Sequence, residues 1–286
     1  MKNLKLIECP RDAMQGLHDF IPTDIKVKYI NQLLKVGFDT IDFGSFVSPK
    51  AIPQMRDTAE VLKQLDLSST TSRLLAIVAN KRGADDAVKF EEIEYLGFPF
   101  SVSETFQQRN TNSSIDESLH KVDALQEIAT KHNKKLVIYL SMAFGNPYGD
   151  KWNVDIVAKW SENLHQQFDI NILALSDTIG VSEPDNISYL FSNLIKDFPK
   201  VEFGAHLHST PQTALKKIEA AYNSGCRRFD GAIKGFGGCP MAKDELTGNM
   251  PTELMTDFFE QHHIETNLNQ KEFKKSMEMA LKVFPN

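Results

Sequence analysis

The sequence predicts an α/β protein, a single (β/α)8 TIM barrel with C-terminal helices. Three observations carry that reading. Short apolar runs rich in Ile, Val, Leu and Phe alternate with longer stretches whose apolar residues recur at helical spacing, and the alternation continues along the chain. Eight such runs fit within 286 residues. No Pro/Gly/Ser-rich linker or shift of composition divides them, which favours one barrel over a doubly wound sheet with a second domain.

In chain order, strands are expected near Leu4–Cys9, Phe38–Phe43, Arg73–Ala79, Glu94–Ser101, Lys135–Ala143, Ile170–Ser176, Val201–His208 and Arg228–Ile233. Amphipathic helices are expected over Thr23–Val36, Ser114–His132, Val154–Phe168, Pro184–Phe198 and Pro211–Ser224. The first of these lines up Ile25, Tyr29, Ile30, Leu33 and Leu34 on one face. Thr23, Ser114 and Ser182 are the expected N-caps. Pro184 and Pro211 suit a first helical turn, where a missing N–H removes no bond, and Gly37 and Gly225 suit helix ends. Residues 1–286 then form one catalytic domain, with 251–286 as a helical tail packed at the end of the barrel.

Composition narrows the functional classes. With 41% hydrophobic and 24% charged residues, 15 Gly and 12 Pro, the chain has ordinary globular usage, which excludes collagenous and disordered readings. No apolar run approaches the roughly 18 residues of a membrane span, and the opening MKNLKLIECPRD contains no secretory apolar stretch, so a cytoplasmic protein is expected. Three cysteines with no CxxC pair indicate neither a disulfide framework nor a structural zinc site. A net charge of −6 argues against nucleic acid or an anionic membrane as the main partner, while local basic pockets remain open.

In a barrel of this kind chemistry sits where strands end. Strand one ends in Cys9-Pro10-Arg11-Asp12, strand two in Asp42 and then Ser45 to Lys50, and strand six in Ser176-Asp177-Thr178. His206 and His208 lie two apart in strand seven, so strand periodicity points both imidazoles the same way. An isolated pair could simply be hydrogen-bonded; beside the carboxylate of Asp12 it suits a divalent cation. Mixed nitrogen and oxygen ligands without thiolate suit Mg2+ or Mn2+ at least as well as Zn2+. Arg11 could merely pair with Asp12, or could stabilise a developing enolate. Gly235-Phe236-Gly237-Gly238-Cys239-Pro240 is wrongly spaced for phosphate binding and suggests a loop over the barrel mouth, on which Cys239 is either a thiol that approaches substrate or, as is commoner for a lone cysteine, an incidental buried residue. Asp42 and Asp177 are each compatible with ordinary turn or capping roles, yet both fall at the same rim.

Pro10-Arg11-Asp12, SFVSPK from Ser45 to Lys50, SDTIGV from Ser176 to Val181, HLH from His206 to His208, and GFGGCP followed by Gly248-Asn249 occur together in order. With the stretch Ile52-Pro53-Gln54-Met55, the set resembles the 3-hydroxy-3-methylglutaryl-CoA lyase family from about Leu6 to Glu253. The resemblance implies retro-Claisen cleavage of 3-hydroxy-3-methylglutaryl-CoA to acetyl-CoA and acetoacetate, assisted by a divalent cation. It makes Asp12, His206, His208 and Asn249 the metal ligands, sets Arg11 on the thioester oxygen, and gives Cys239 the protonation of the acetyl-CoA carbanion. It gives Asp177 and His206 positions linked with proton handling, although a ligating histidine is an awkward base. The family usually has Gly at Ala13, Glu at Asp42 and Asp at Ser209; a shorter Asp42 could alter how Arg11 or the loop is held, and Ser209 removes a charge near the second histidine. Lys50, Lys81 and Arg82 are candidates for binding the anionic acyl-CoA, and enzymes of this kind commonly form homodimers. The competing readings are a lyase of another 3-hydroxyacyl-CoA, a Claisen synthase condensing acetyl-CoA with a 2-keto acid, and a catalytically silent ligand-binding barrel.

Overall fold

The protein is described from a computed structural model covering residues 3–238 and 247–284. Eight parallel strands form the centre: β1 (Lys5–Glu8), β2 (Thr40–Ser45), β3 (Arg73–Ile77), β4 (Ile93–Ser101), β5 (Lys135–Ser141), β6 (Ile172–Asp177), β7 (Glu202–Ser209) and β8 (Arg228–Gly231). Each pairs with its neighbour in sequence, and β8 returns to β1, so the sheet closes into the expected barrel. A ninth strand, β9 (Gly248–Asn249), runs antiparallel to the end of β7 and sets Asn249 opposite His208.

The helices follow the strands. They are α1 (Pro10–Gln15), α2 (Thr23–Leu33), α3 (Thr58–Leu62), α4 (Lys81–Ala87), α5 (Glu104–Thr111) and α6 (Ile115–Lys131) in the first half. The second half contributes α7 (Val154–Phe168), α8 (Pro184–Asp197), α9 (Ala214–Asn223), α10 (Thr252–Gln261) and α11 (Gln270–Val283). Alternate strand residues divide between two apolar regions. Leu75, Ile77, Tyr95, Val137, Tyr139, Ile172 and Ala174 fill the barrel interior, while Leu74, Ala76, Leu96, Ile138, Leu173 and their equivalents face the helices. Among the described residues no helix is long and apolar enough to cross a membrane.

Two of the three expected caps differ. Ser114 caps α6 in a reciprocal box with Glu117. Thr23, by contrast, is the first helical residue of α2 and donates its hydroxyl to Asp57, at 2.8 Å. Ser182 lies one residue outside the cap of α8, and its hydroxyl serves Asp177 instead. Pro211 precedes α9 by three residues, because the chain first turns through Thr210 to Thr213. Sequence periodicity also leaves α1, α3, α4 and α5 unexpected: each has at most eight residues, too few to repeat an apolar face.

The C-terminal helices steady the rim. α11 packs beside α2, with Phe273 edge-on to Phe38 at 6.1 Å and Phe284 edge-on to Tyr29 at 5.8 Å. Phe284 also stacks on Phe236 at 4.7 Å, tying the tail to the glycine-rich segment after β8.

Glu8 of β1 is fully buried, accepting from the Ile233 N–H at 2.9 Å and the Thr252 hydroxyl at 2.6 Å. Burial outweighs these bonds and pushes its carboxyl from 4.5 to about 8. The folded state therefore binds this proton more tightly than the unfolded chain. Its stabilising effect is complete below the unfolded value and is lost as pH rises through about 8, at up to about 1.4 kcal/mol per pH unit. Glu8→Gln is expected to flatten that slope in denaturant unfolding measured from pH 5 to 9; parallel slopes for the two proteins would contradict the assignment.

Candidate active site

The exit of β1 builds the first part of the site. Pro10 starts α1, whose first turn immediately carries Arg11 and Asp12. Arg11 is buried and clamped between two carboxylates. Its Nε lies 3.2 and 3.0 Å from the oxygens of Asp42 and Nη2 lies 2.5 Å from Oδ2, a fork-like contact. Nη1 donates to Asp12 and to Gln15, each at 2.9 Å. Gln15 in turn donates to Asp12 at 2.7 Å. Asp42 precedes a bulge in β2, between Asp42 and Gly44, a device that re-aims strand side chains. The shorter side chain at 42 thus still meets Arg11 with both oxygens.

These contacts set charge states. Burial would raise the Asp12 carboxyl, but Arg11, His206, His208 and the Asn249 amide together hold it at about 2. Burial raises Asp42 to about 6 against the pull of Arg11, which leaves it ionised at neutral pH. Both carboxylates favour the charged guanidinium of Arg11, outweighing its burial.

β7 supplies the imidazoles. His206 and His208 project the same way, ring centroids 5.5 Å apart, and with Asp12 they offer ligand atoms within 4.8 Å of one another. The His208 Nδ1–H is 3.1 Å from the Thr178 carbonyl, so its lone pair is on Nε2; that atom is buried without a hydrogen-bond partner. Burial and the neighbouring His206 hold His208 neutral, at about 4. His206 Nδ1 faces Asp230 of β8 at 3.1 Å. Burial opposes protonation of His206, but the bond and charge of Asp230 prevail and raise its pKa. An orphaned imidazole nitrogen, a second imidazole oriented by a carboxylate and an ionised Asp12 form a donor set that fits a divalent cation.

Asn249 joins from β9. Its amide nitrogen donates to Asp12 at 2.7 Å and to the Phe236 carbonyl at 2.9 Å, so both amide hydrogens are used and Oδ1 takes no part in these bonds. Gly237 makes this approach feasible: its φ is +82°, and a Cβ there would come within 2.7 Å of Ala13 Cα and 2.9 Å of the Asn249 amide. Ala13, where the family resemblance implies Gly, is accommodated beneath it. Among the described residues the hydroxyl of Ser209, another departure, makes only a weak 3.8 Å contact to the Met250 sulfur.

Asp177 stands apart from this group. Its oxygens accept from the N–H groups of Val181 and Ser182, from the Ser182 hydroxyl at 2.5 Å and from Lys217 at 2.7 Å. Lys217 is itself buried and donates to the His208 carbonyl at 2.8 Å, so Asp177 fixes the histidine strand from behind. Lys50, Lys81 and Arg82 are exposed on the β2 and β3 rim. Of the three, Arg82 lines a cleft with Ser48, Asn80 and Arg56, whose guanidinium lies 3.6 Å above the Phe20 ring. Cys239 lies outside the described residues. Gly238 and Thr247, which flank it on the described chain, come together: a Cβ on Gly238 would be 2.9 Å from the Thr247 carbonyl.

Sequence reasoning missed Gln15, Lys217 and Asp230. Arg228 and Asp230 two apart in an otherwise apolar strand were a readable signal that charge enters the barrel interior. Lys217 gave none, being one of two adjacent lysines in a helix.

Residues 4–279 match the sequence model of the HMGL-like family. The chain belongs to that family. A hydroxymethylglutaryl-CoA lyase of Bacillus subtilis (strain 168) is 37% identical over 259 residues, 91% of this chain and 85% of the relative. The mitochondrial hydroxymethylglutaryl-CoA lyase of Homo sapiens is 33% identical over 269 residues, 94% of this chain and 82% of the relative. Among solved structures, an HMG-CoA lyase from Bacillus subtilis superposes with TM-score 0.91 at 34% identity, covering 99% of this chain and 94% of that one. An Acinetobacter baumannii HMG-CoA lyase in complex with coenzyme A and 3-methylmalate gives TM-score 0.89 at 29% identity, covering 98% and 91%.

In this HMGL-like chain Lys217→Met leaves the buried Asp177 carboxylate without its cation and is expected to destabilise by about 3–5 kcal/mol in urea unfolding. The double variant with Asp177→Asn should recover much of that loss. A double variant no more stable than the single would contradict the pairing.

Proposed function

We propose that the chain cleaves 3-hydroxy-3-methylglutaryl-CoA to acetyl-CoA and acetoacetate, with Mg2+ or Mn2+ held by Asp12, His206, His208 and Asn249. The observation that carries this reading is the buried Asp12, His206 and His208 cluster directly beside a guanidinium whose charge is enforced on two sides. The names of the relatives support the reaction and, with the coenzyme A complex of the Acinetobacter enzyme, an acyl-CoA substrate.

When bound, the cation supplies Lewis acidity that makes the 3-hydroxyl more acidic. The remaining chemistry is assigned to the chain. The hydroxyl gives up its proton to solvent water, its oxygen becomes the ketone of acetoacetate, the C2–C3 bond breaks, the electron pair passes to the acetyl thioester as an enolate, and solvent later returns a proton to the thiol that protonates C2. Of the five N–H groups of Arg11, four face Asp42, Asp12 and Gln15, leaving one on Nη2 for the thioester oxygen. Fixed in advance, it favours the enolate over the neutral thioester. Cys239 is assigned the proton that C2 then takes up. Asp177 is assigned a positioning role through Lys217, because its oxygens are already shared among four donors. Lys50, Lys81 and Arg82 are assigned to the phosphates of coenzyme A, with Arg82 nearest a formed cleft.

Although the acid at 42 is shorter than the family's usual Glu, it still holds the guanidinium opposite Asp12, so the group assigned to the thioester oxygen is kept in place. The test is acetoacetate release by purified protein with Mg2+ or Mn2+, after chelation, and in variants. Chelation, His208→Ala and Cys239→Ala are each expected to lower turnover by about a hundredfold or more. Absence of turnover in folded, metal-loaded protein would sink the substrate assignment, and metal-independent turnover would sink the ligand assignment.

A further inference from the structure

Deeper in the barrel, a second group of donors meets around the same histidine. Cys9 at the exit of β1, His206 of β7 and Asp230 of β8 bring a thiol sulfur, a ring nitrogen and a carboxylate oxygen within 4.8 Å of one another. Three neighbouring strands set this spacing, so the register of the closed barrel holds it. Cys9 is fully buried and Asp230 is 2% exposed. One oxygen of Asp230 faces His206 Nδ1, while the other, Oδ1, is buried without a hydrogen-bond partner. An unpartnered carboxylate oxygen in the interior is unfavourable, and a cation removes that penalty. Thiol, imidazole and carboxylate are the donors of Zn2+, Co2+ or Cd2+, not of Mg2+ or Mn2+.

We propose that Cys9, His206 and Asp230 form a second, thiophilic metal site that competes with the Asp12 site for His206. The competition rests on the reading that Asp12, His206 and His208 hold the catalytic cation. A neutral imidazole has one lone pair. Ligation toward Asp12 uses Nε2 and keeps the proton on Nδ1, where Asp230 accepts it. Ligation toward Cys9 uses Nδ1 and moves that proton to Nε2, which then faces Asp12 as a donor. The Cys9 thiol releases one proton to solvent as its sulfur binds the metal; nothing is oxidised or reduced. A thiophilic ion in the lower site thereby withdraws a ligand from the upper one, and the two sites are antagonistic.

Two titrations of chelated, full-length protein test this. In a Cys239→Ser background, Co2+ is expected to produce an intense thiolate-to-cobalt charge-transfer absorption that persists in His208→Ala and vanishes when Cys9→Ser is added. Persistence without Cys9, or no such absorption at all, would overturn the site. In the wild type, one equivalent of Cd2+ is expected to weaken Mn2+ binding, followed by electron paramagnetic resonance, by about tenfold or more. Cys9→Ser should bind Mn2+ as the wild type does and lose the Cd2+ effect. Equal displacement by Cd2+ in Cys9→Ser would mean that Cd2+ enters the Asp12 site, and unchanged Mn2+ binding in the wild type would overturn the competition. Failure of Mn2+ to bind the wild type without Cd2+ would overturn the catalytic-cation reading and the competition together, while the cobalt absorption reads the Cys9 site alone.

Discussion

The buried chain of charge from Asp42 through Arg11 to Asp12 is the interaction on which the rest of the site depends. A guanidinium withdrawn from water is tolerable only when its donors are met, and here two carboxylates and one amide meet all but one of them. Such an arrangement adds little to net stability; its consequence is positional. Asp12 is held ionised against the two histidines, and Arg11 is held with one N–H free. The outer end of this chain, Asp42, lies at a bulge in β2.

The barrel supplies the other half of the constraint. Closure through β8 and β1 brings Asp12 against β7, whose two-residue period aims both imidazoles inward. Each histidine is then given a tautomer from behind, by Asp230 and by the Thr178 carbonyl, so that their remaining nitrogens converge. The tail contributes indirectly. Phe284 stacks on Phe236, whose carbonyl receives the Asn249 amide, so α11 reaches the site through two contacts.

Much of this was legible in the sequence because it follows from short periods. Eight strands, the His206 and His208 pair and the Arg11-Asp12 step all follow from residue alternation and strand ends. What escaped depends on partners far apart in the chain. Asp177 reads as a rim acid, yet Lys217, forty residues later, turns it inward, and Ser182, which reads as a cap, serves the same carboxylate. Gln15 and Asp230 acquire meaning only when β1, β7 and β8 are adjacent. Short helices such as α1 and α4 escaped because one or two turns cannot repeat an apolar face.

The central claim is that Asp42 acts by fixing the guanidinium that meets the developing enolate. The most direct measurement is the turnover of Asp42→Asn with 3-hydroxy-3-methylglutaryl-CoA, beside its Mn2+ affinity as a control for folding of the site. The account predicts that kcat falls by about tenfold to a hundredfold while KM and Mn2+ affinity change little, since the lost interaction matters most in the transition state. An unchanged kcat, or a loss confined to KM, would contradict it.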